Sequence, residues 1–441
     1  MKRLLLLSVC LAWALSVAPQ TTVFVIGDST AATKELSKQN PERGWGQMLQ
    51  PFFDSAVKVE NHARNGRSTK SFVTLGHWAE VESRMKAGDF LLIQFGHNDS
   101  KASDTVRFST PEQYGRNLRG FIDAARRKGA VPVLLSPVVR RWWKEGVLAD
   151  SHGEYLRECQ RVAEEENVIF IDAERLTRQM VEEAGEEGSA RYFMNIPEGI
   201  SPLYPDGRTD NTHFTVCGAR KTAELICRQL EEQIPTLAPH IRYWDWVVAK
   251  DGSGDFFTIT EAIAATPDFA KTEWTKIYIR NGLYREKLNI PSTKRLLQLT
   301  GENVNSVIVD FDDYASKVGP TGHPMGTSGS ATVYAMASDF MAEHMTFRNS
   351  AGEVGQAVAL LSGGDRQTYR DCRFEGNQDT LYLYGLGNRD GEKHADNTRL
   401  RFEECYVEGT TDFIFGSAEA YFKGCTIMSK RNSYITAAST C

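Results

Sequence analysis

Hydrophobic and polar positions alternate on two different periods along this chain, and the change of period divides it. From about residue 20 to 233, short apolar runs at 23–26, 57–60, 90–94, 131–136 and 168–171 read as buried strands. Between them lie longer stretches with helical spacing, such as 114–128 and 153–166. Strands alternating with helices predict a parallel sheet covered by helices, an α/β unit. From about residue 242 the texture changes. Apart from 259–265, helical periods become rare, and short strands separated by Gly, Asn and Asp take over, as at 276–280, 296–300 and 306–310. A Pro-punctuated stretch, residues 234–241, reads as the linker between the two units.

The second unit carries a weak repeat. Met345, Cys372, Cys405 and Cys425 each stand two residues before an apolar residue, in Met345-Thr346-Phe347, Cys372-Arg373-Phe374, Cys405-Tyr406-Val407 and Cys425-Thr426-Ile427. Repeats of roughly 20–35 residues built from short strands predict a solenoid, here an all-β right-handed parallel β-helix with equivalent residues stacked on successive rungs. The cysteines are then expected as an inward packing ladder rather than as disulfides.

Composition narrows the functions. The 441 residues are 41% apolar and 24% charged, with a formal net charge of −6. That is the balance of a globular chain and excludes a general nucleic-acid binder. Length favours two domains. Residues 1–19 open with Lys2 and Arg3, continue apolar from Leu4 to Val17, and offer the small residues Ser16, Val17 and Ala18. This is a signal peptide, so export is expected, to the periplasm, the cell surface or the medium. No later apolar run reaches ~20 residues, so no membrane span is expected.

The candidate chemistry lies where strands end. Residues 22–26 form a strand that Gly27 and Asp28 break, which delivers Ser29 to the carboxyl end of the sheet, where α/β folds bind ligands. An N-cap serine is the ordinary alternative. Asn65-Gly66-Arg67-Ser68 follows the second strand, and Gly66 can bring a backbone N–H close to a ligand. Gly96-His97-Asn98-Asp99 follows the third, and the Asn98 amide can donate to a developing oxyanion. In Asp210-Asn211-Thr212-His213 a carboxylate precedes an imidazole by three residues, close enough to orient it. Taken singly, these are turns, caps and satisfied polar residues. Their order makes the set specific.

That set resembles the four blocks of the SGNH (GDSL-type) hydrolases. Gly44-Trp45-Gly46, Asn61-His62-Ala63-Arg64-Asn65-Gly66-Arg67-Ser68 and Gln94-Phe95-Gly96-His97-Asn98-Asp99 are most similar to the rhamnogalacturonan acetylesterase branch. The resemblance implies a flavodoxin-like three-layer fold. It also implies Ser29 as nucleophile, His213 as general base and Asp210 as its orienting partner. The Ser29 and Gly66 N–H groups and the Asn98 side chain would form the oxyanion hole. No metal or cofactor is implied.

In the second unit the polar residues that interrupt the repeat are Gln356, Gln378, Asp379 and Asp412. Asp379 and Asp412 are about one rung apart, and two carboxylates at rung spacing do not both ionise easily, so one can remain an acid. Gly282-Leu283-Tyr284-Arg285-Glu286, Gly355-Gln356-Ala357-Val358-Ala359-Leu360, Gln378-Asp379-Thr380-Leu381-Tyr382 and Asp412-Phe413-Ile414-Phe415-Gly416 resemble the signature blocks of pectin methylesterases. The likeness runs from Trp246 to the end of the chain. It implies Asp412 as nucleophile, Asp379 as general acid and then base, and Gln356 and Gln378 as oxyanion ligands. A later Leu-Gly-Arg-Pro-Trp block of that family is not found, so the second unit is expected to be truncated and its site to be weak or inactive.

The expected protein is therefore an exported, monomeric esterase acting on pectic polysaccharide. The first unit would remove acetyl groups from rhamnogalacturonan and the second methyl groups from homogalacturonan. The alternatives are a β-helix that only binds pectin, or an acetylesterase acting on another polysaccharide such as xylan. A lyase or polygalacturonase reading of the β-helix ranks lower, because no carboxylate cluster suited to Ca²⁺ stands out.

Overall fold

In the computed structural model, which describes residues 20–36, 40–54, 56–385 and 398–439, five strands form one parallel sheet. They are β1 (Thr21–Gly27), β2 (Val57–Asn61), β3 (Phe90–Gln94), β4 (Val131–Leu135) and β5 (Ile169–Ile171), in the order 2-1-3-4-5. This is the doubly wound flavodoxin-like order, whose switch point, where ligands bind, falls between β1 and β3. The proposed signal peptide lies outside the described residues.

Why β1 is almost wholly apolar follows from its position. Val23 and Val25 pack on one face of the sheet, with Trp45, Phe52, Phe193 and Phe214. Phe24 and Ile26 pack on the other, with Phe72, Phe95 and Phe121. Both faces are covered, so alternation disappears. One cover is made by α1 (Thr69–Thr74), α2 (Pro111–Arg127) and α3 (Glu154–Glu165), the other by α4 (Ala173–Gly188) and α5 (Val216–Gln233). Helix α2 begins where Thr110 and Gln113 form a capping box, with Pro111 in the first turn. Truncating Ile26, which is fully buried, to alanine would cost roughly 2–5 kcal/mol.

Residues 234–241, read from sequence as a linker, do not hang free. Ile234, Leu237 and Ile241 are buried in the core of the first unit, and Phe53 bridges Ile241. Pro235 stops the preceding helix at Gln233, and the apolar side chains on either side of it and of Pro239 still turn inward. The second unit is also held to the first by an Arg220–Asp255 ion pair at 3.2 Å and by Trp244 Nε1 donating to Pro51 O at 2.6 Å.

The described residues from Trp246 to Ala438 coil into three parallel sheets of seven, six and six strands; the first strand pairs with the next, and every later strand pairs with the one three further along the chain. The register stacks equivalent positions. Thr346, Arg373, Tyr406 and Thr426 align, so the sulfur residues just before them align too. Cys372, Cys405 and Cys425 are free thiols, and each donates weakly to a carbonyl of the preceding rung, Ala342, Tyr369 and Phe402, at 3.4 Å. Inside, Tyr369, Phe402 and Phe422 form a stack with centroids 4.9 and 4.7 Å apart, close to the strand spacing. Among the described residues no helix is long and apolar enough to cross a membrane.

Candidate active sites

The first site is built on the turn after β1. Gly27 must be glycine, because a Cβ there would lie 2.6 Å from the carbonyl oxygen of Gln94 on β3. Asp28 is fully buried and accepts from Thr30 N at 2.9 Å and Thr30 Oγ1 at 2.8 Å, which closes the turn. Its second oxygen meets His97 Nδ1 at 3.1 Å, so the first and third motif blocks are bolted together. Burial alone would raise the Asp28 carboxyl, but His97 and the Thr30 hydrogen bonds outweigh it and hold it well below the ordinary range. Burial likewise holds His97 below its usual range, and the pair is a carboxylate receiving N–H from a neutral ring.

This turn presents Ser29, half-buried, to His213. Ser29 Oγ and His213 Nε2 are 2.8 Å apart, and His213 Nδ1 is 2.8 Å from Asp210 Oδ2. The other Asp210 oxygen accepts from the backbone N–H of Thr212 (2.9 Å) and of His213 (3.0 Å). Burial pushes this carboxyl up, but the hydrogen bonds from His213 and Thr212 prevail, and it stays well below the carboxylate range. Nδ1 facing a carboxylate carries the proton, which leaves Nε2 free to accept from Ser29. The structure thus brings together three residues that the sequence spreads over 184 positions.

The second and third blocks meet beside them. Gly66 has φ +70°, a left-handed conformation that favours glycine. Ser68 and Ser71 then cap α1. Asp99 binds the same corner, accepting from Thr69 N at 3.0 Å and Thr69 Oγ1 at 2.5 Å. Burial raises Asp99 to about 7 despite those donors. The Asn98 amide donates to Arg67 O at 2.9 Å, which fixes its plane and uses one of its two hydrogens. Three charged neighbours had no motif to announce them. They are Arg208, 2.5 Å from Asp210 Oδ2, Glu42, 3.1 Å from Arg208, and Lys34, 2.8 Å from Glu42. Only Arg208, two residues before Asp210, carried any sequence signal.

The second set sits on one face of the β-helix. Leu360, Leu381, Ile414 and Thr436 are in register on four successive rungs. Asp379 and Asp412 each stand two residues before such a position, and Gln356 bridges Gln378. The four sequence candidates are therefore neighbours on adjacent rungs. Asp379 has φ +68° and Asp412 φ +46°, strained for most residues and tolerated by aspartate. Burial, reinforced by the Asp412 charge, raises Asp379 to about 6. Among the described residues no donor hydrogen-bonds either carboxylate. The nearby Arg431 is engaged by Glu353 at 3.2 Å and Thr411 Oγ1 at 3.0 Å. Among the described residues no group of three or more His, Cys, Asp or Glu could hold a metal ion.

A serine–imidazole–carboxylate chain at a flavodoxin-type switch point, followed by stacked carboxylates on a β-helix, defines a chain with two ester-hydrolase units. Comparison with known proteins agrees. A model of the GDSL-like Lipase/Acylhydrolase family matches residues 25–221, and a Pectinesterase model matches residues 245–440. Rhamnogalacturonan acetylesterase RhgT of Bacillus subtilis (strain 168) is 40% identical over 220 residues, covering 50% of this chain and 93% of that protein. Probable rhamnogalacturonan acetylesterase YesY of the same organism is 35% identical over 211 residues, covering 48% and 92%. A Pectinesterase of Daucus carota is 36% identical over 200 residues, covering 45% of this chain and 55% of that protein. Through its first half the chain belongs to the GDSL-like acylhydrolases, and its second half is similar to pectinesterases. Both are carboxylic ester hydrolase families. The chain spans little more than half the length of that pectinesterase.

Proposed function

We propose that this protein is an exported pectin-modifying esterase whose principal activity is removal of acetyl groups from rhamnogalacturonan by the Ser29 site. The observation that carries the reading is the 2.8 Å approach of Ser29 Oγ to His213 Nε2, with Asp210 behind the ring. Ser29 Oγ attacks the acetyl carbonyl carbon as His213 takes its proton. The N–H groups of Ser29 and Gly66 and the second Asn98 hydrogen receive the oxyanion. Collapse breaks the bond to the sugar oxygen, which leaves with the proton returned by His213. Water, deprotonated by the same imidazole, then attacks the acetyl-serine and releases acetate. The named relatives support the polymer. Treating the full chain with an organophosphonate and mapping the adduct tests the site: Ser29 should carry it, and labelling elsewhere would remove Ser29 from the nucleophile's role.

The second half supports a demethylating role, with Asp412 as nucleophile on the methyl ester, Asp379 as acid and then base, and Gln356 and Gln378 as oxyanion donors. No described basic group holds the Asp412 carboxylate, so methanol release from methylated pectin by this chain should be slow, and the β-helix then serves chiefly to bind the polymer. Rapid, Asp412-dependent methanol release would contradict that.

A further inference from the structure

We propose that Lys34, Glu42 and Arg208 are positioning residues that, with the triad, close a charged circuit on Ser29 and set the proton affinity of His213. The inference rests on the serine-esterase reading above. Arg208 Nη2 reaches Asp210 Oδ2 at 2.5 Å, the same oxygen that receives His213 Nδ1. Its other nitrogen donates to Glu42 Oε2 at 3.1 Å and to Tyr204 OH at 2.6 Å, and the guanidinium lies over the Tyr204 ring at 5.0 Å. Glu42 Oε1 pairs with Lys34 Nζ at 2.8 Å. Lys34 Nζ then donates to the carbonyl oxygen of Ser29 at 2.6 Å and to Asn65 Oδ1 at 2.5 Å. A path that leaves Ser29 through its hydroxyl thus returns to it through its carbonyl, and on the way it grips the loop that carries Gly66.

The circuit is poorly solvated. The Lys34 side chain is 3% exposed, Glu42 13%, Asp210 17% and Arg208 25%. All three ammonium hydrogens of Lys34 have acceptors. Burial pushes the Lys34 ammonium down, and Glu42 opposes that. Lys34 and Arg208 balance Glu42 and Asp210, so the circuit is neutral when His213 is neutral. Removing one member uncovers a unit charge next to the imidazole. On the far side of the ring stand His97 and, behind it, Asp28 and Arg140, which all the variants below leave unchanged.

The sign of each change follows. Arg208→Met leaves a net negative circuit, which favours the imidazolium, so the acid limb of kcat/KM moves to higher pH. Lys34→Met does the same. Glu42→Gln leaves a net positive circuit and moves the limb to lower pH. The shift should be on the order of one pH unit for Arg208, which shares an Asp210 oxygen with the ring, and smaller for Glu42 and Lys34, which stand further along the circuit. Arg208→Lys restores the charge and should restore the limb, even if the loss of the two-pronged grip lowers kcat. A merely structural role would lower activity in all four without opposite shifts.

The test is the pH profile of p-nitrophenyl acetate hydrolysis by the full chain and these variants, with Ser29→Ala in parallel. Divergent limbs for Arg208→Met and Glu42→Gln, with rescue by Arg208→Lys, are the expected result. Limbs that move together, or an unmoved limb in Arg208→Met, overturn the circuit. Should Glu42→Gln fail to fold, Arg208→Met against Arg208→Lys decides alone. If Ser29→Ala keeps its activity, the serine-esterase reading falls instead.

Discussion

Replacing Asp210 by asparagine alters one atom and should remove most of the acetylesterase rate. The carboxylate receives four donors: His213 Nδ1 and Arg208 Nη2 on one oxygen, and the Thr212 and His213 backbone N–H groups on the other. An amide has a single acceptor oxygen. The two backbone N–H groups cannot turn away, so that oxygen faces them and the NH₂ faces His213. The ring then accepts at Nδ1 and carries its proton on Nε2, where it can no longer accept from Ser29. The equivalent exchange in an unrelated serine protease lowers kcat by about 10⁴-fold, or ~5.5 kcal/mol of barrier. We expect a loss of about 10³–10⁴ in kcat for acetate release from acetylated rhamnogalacturonan, with KM little changed. Asp210 is held far below the usual carboxylate range, so it stays charged across the working pH. A loss of less than tenfold would mean that the imidazole needs no carboxylate to choose its tautomer, and Asp210 would lose its orienting role.

Asp379, raised to about 6 by burial and by Asp412, is protonated in the folded state at pH values where an unfolded aspartate, near 3.9, is charged. Folded stability therefore falls as pH rises from about 4 to 6, and the cost is complete above that. Asp379→Asn, which keeps the left-handed turn, should stabilise the protein by about 1–2 kcal/mol at pH 8 and hardly at all below pH 4, as read from denaturant midpoints. An equal effect at both pH values would remove the charge argument. Among the six described cysteines, which are all free, only Cys217 is exposed. A thiol reagent should therefore label Cys217 fast and the buried Cys159, Cys227, Cys372 and Cys405 only on unfolding. A Tm that drops when dithiothreitol is added would contradict the ladder.

The legible parts of the sequence were those in which one physical constraint acts locally. A strand buried on both faces must be continuously apolar, so residues 23–26 announced themselves. Gly27, Gly66 and Asp28 sit at turns that few other residues can make. Rung stacking repeats the same environment, so Met345, Cys372, Cys405 and Cys425 recur in phase. Contacts between unrelated segments were not legible. Lys34 and Arg208 come from loops and Glu42 from a two-residue strand, all too short for any periodicity, and Glu42 meets a partner 166 residues away. Isolated charges look alike in sequence whether solvated or buried. The stretch 234–241 looked like a connector because prolines interrupt it, whereas Ile234, Leu237 and Ile241 face the core.

The decisive measurement is acetate release from acetylated rhamnogalacturonan by the full chain and by its Ser29→Ala variant. With Ser29 as nucleophile, the native chain releases acetate steadily and the variant only at the uncatalysed rate, with folding and pectin binding unchanged. Acetate release that persists in Ser29→Ala would contradict that role.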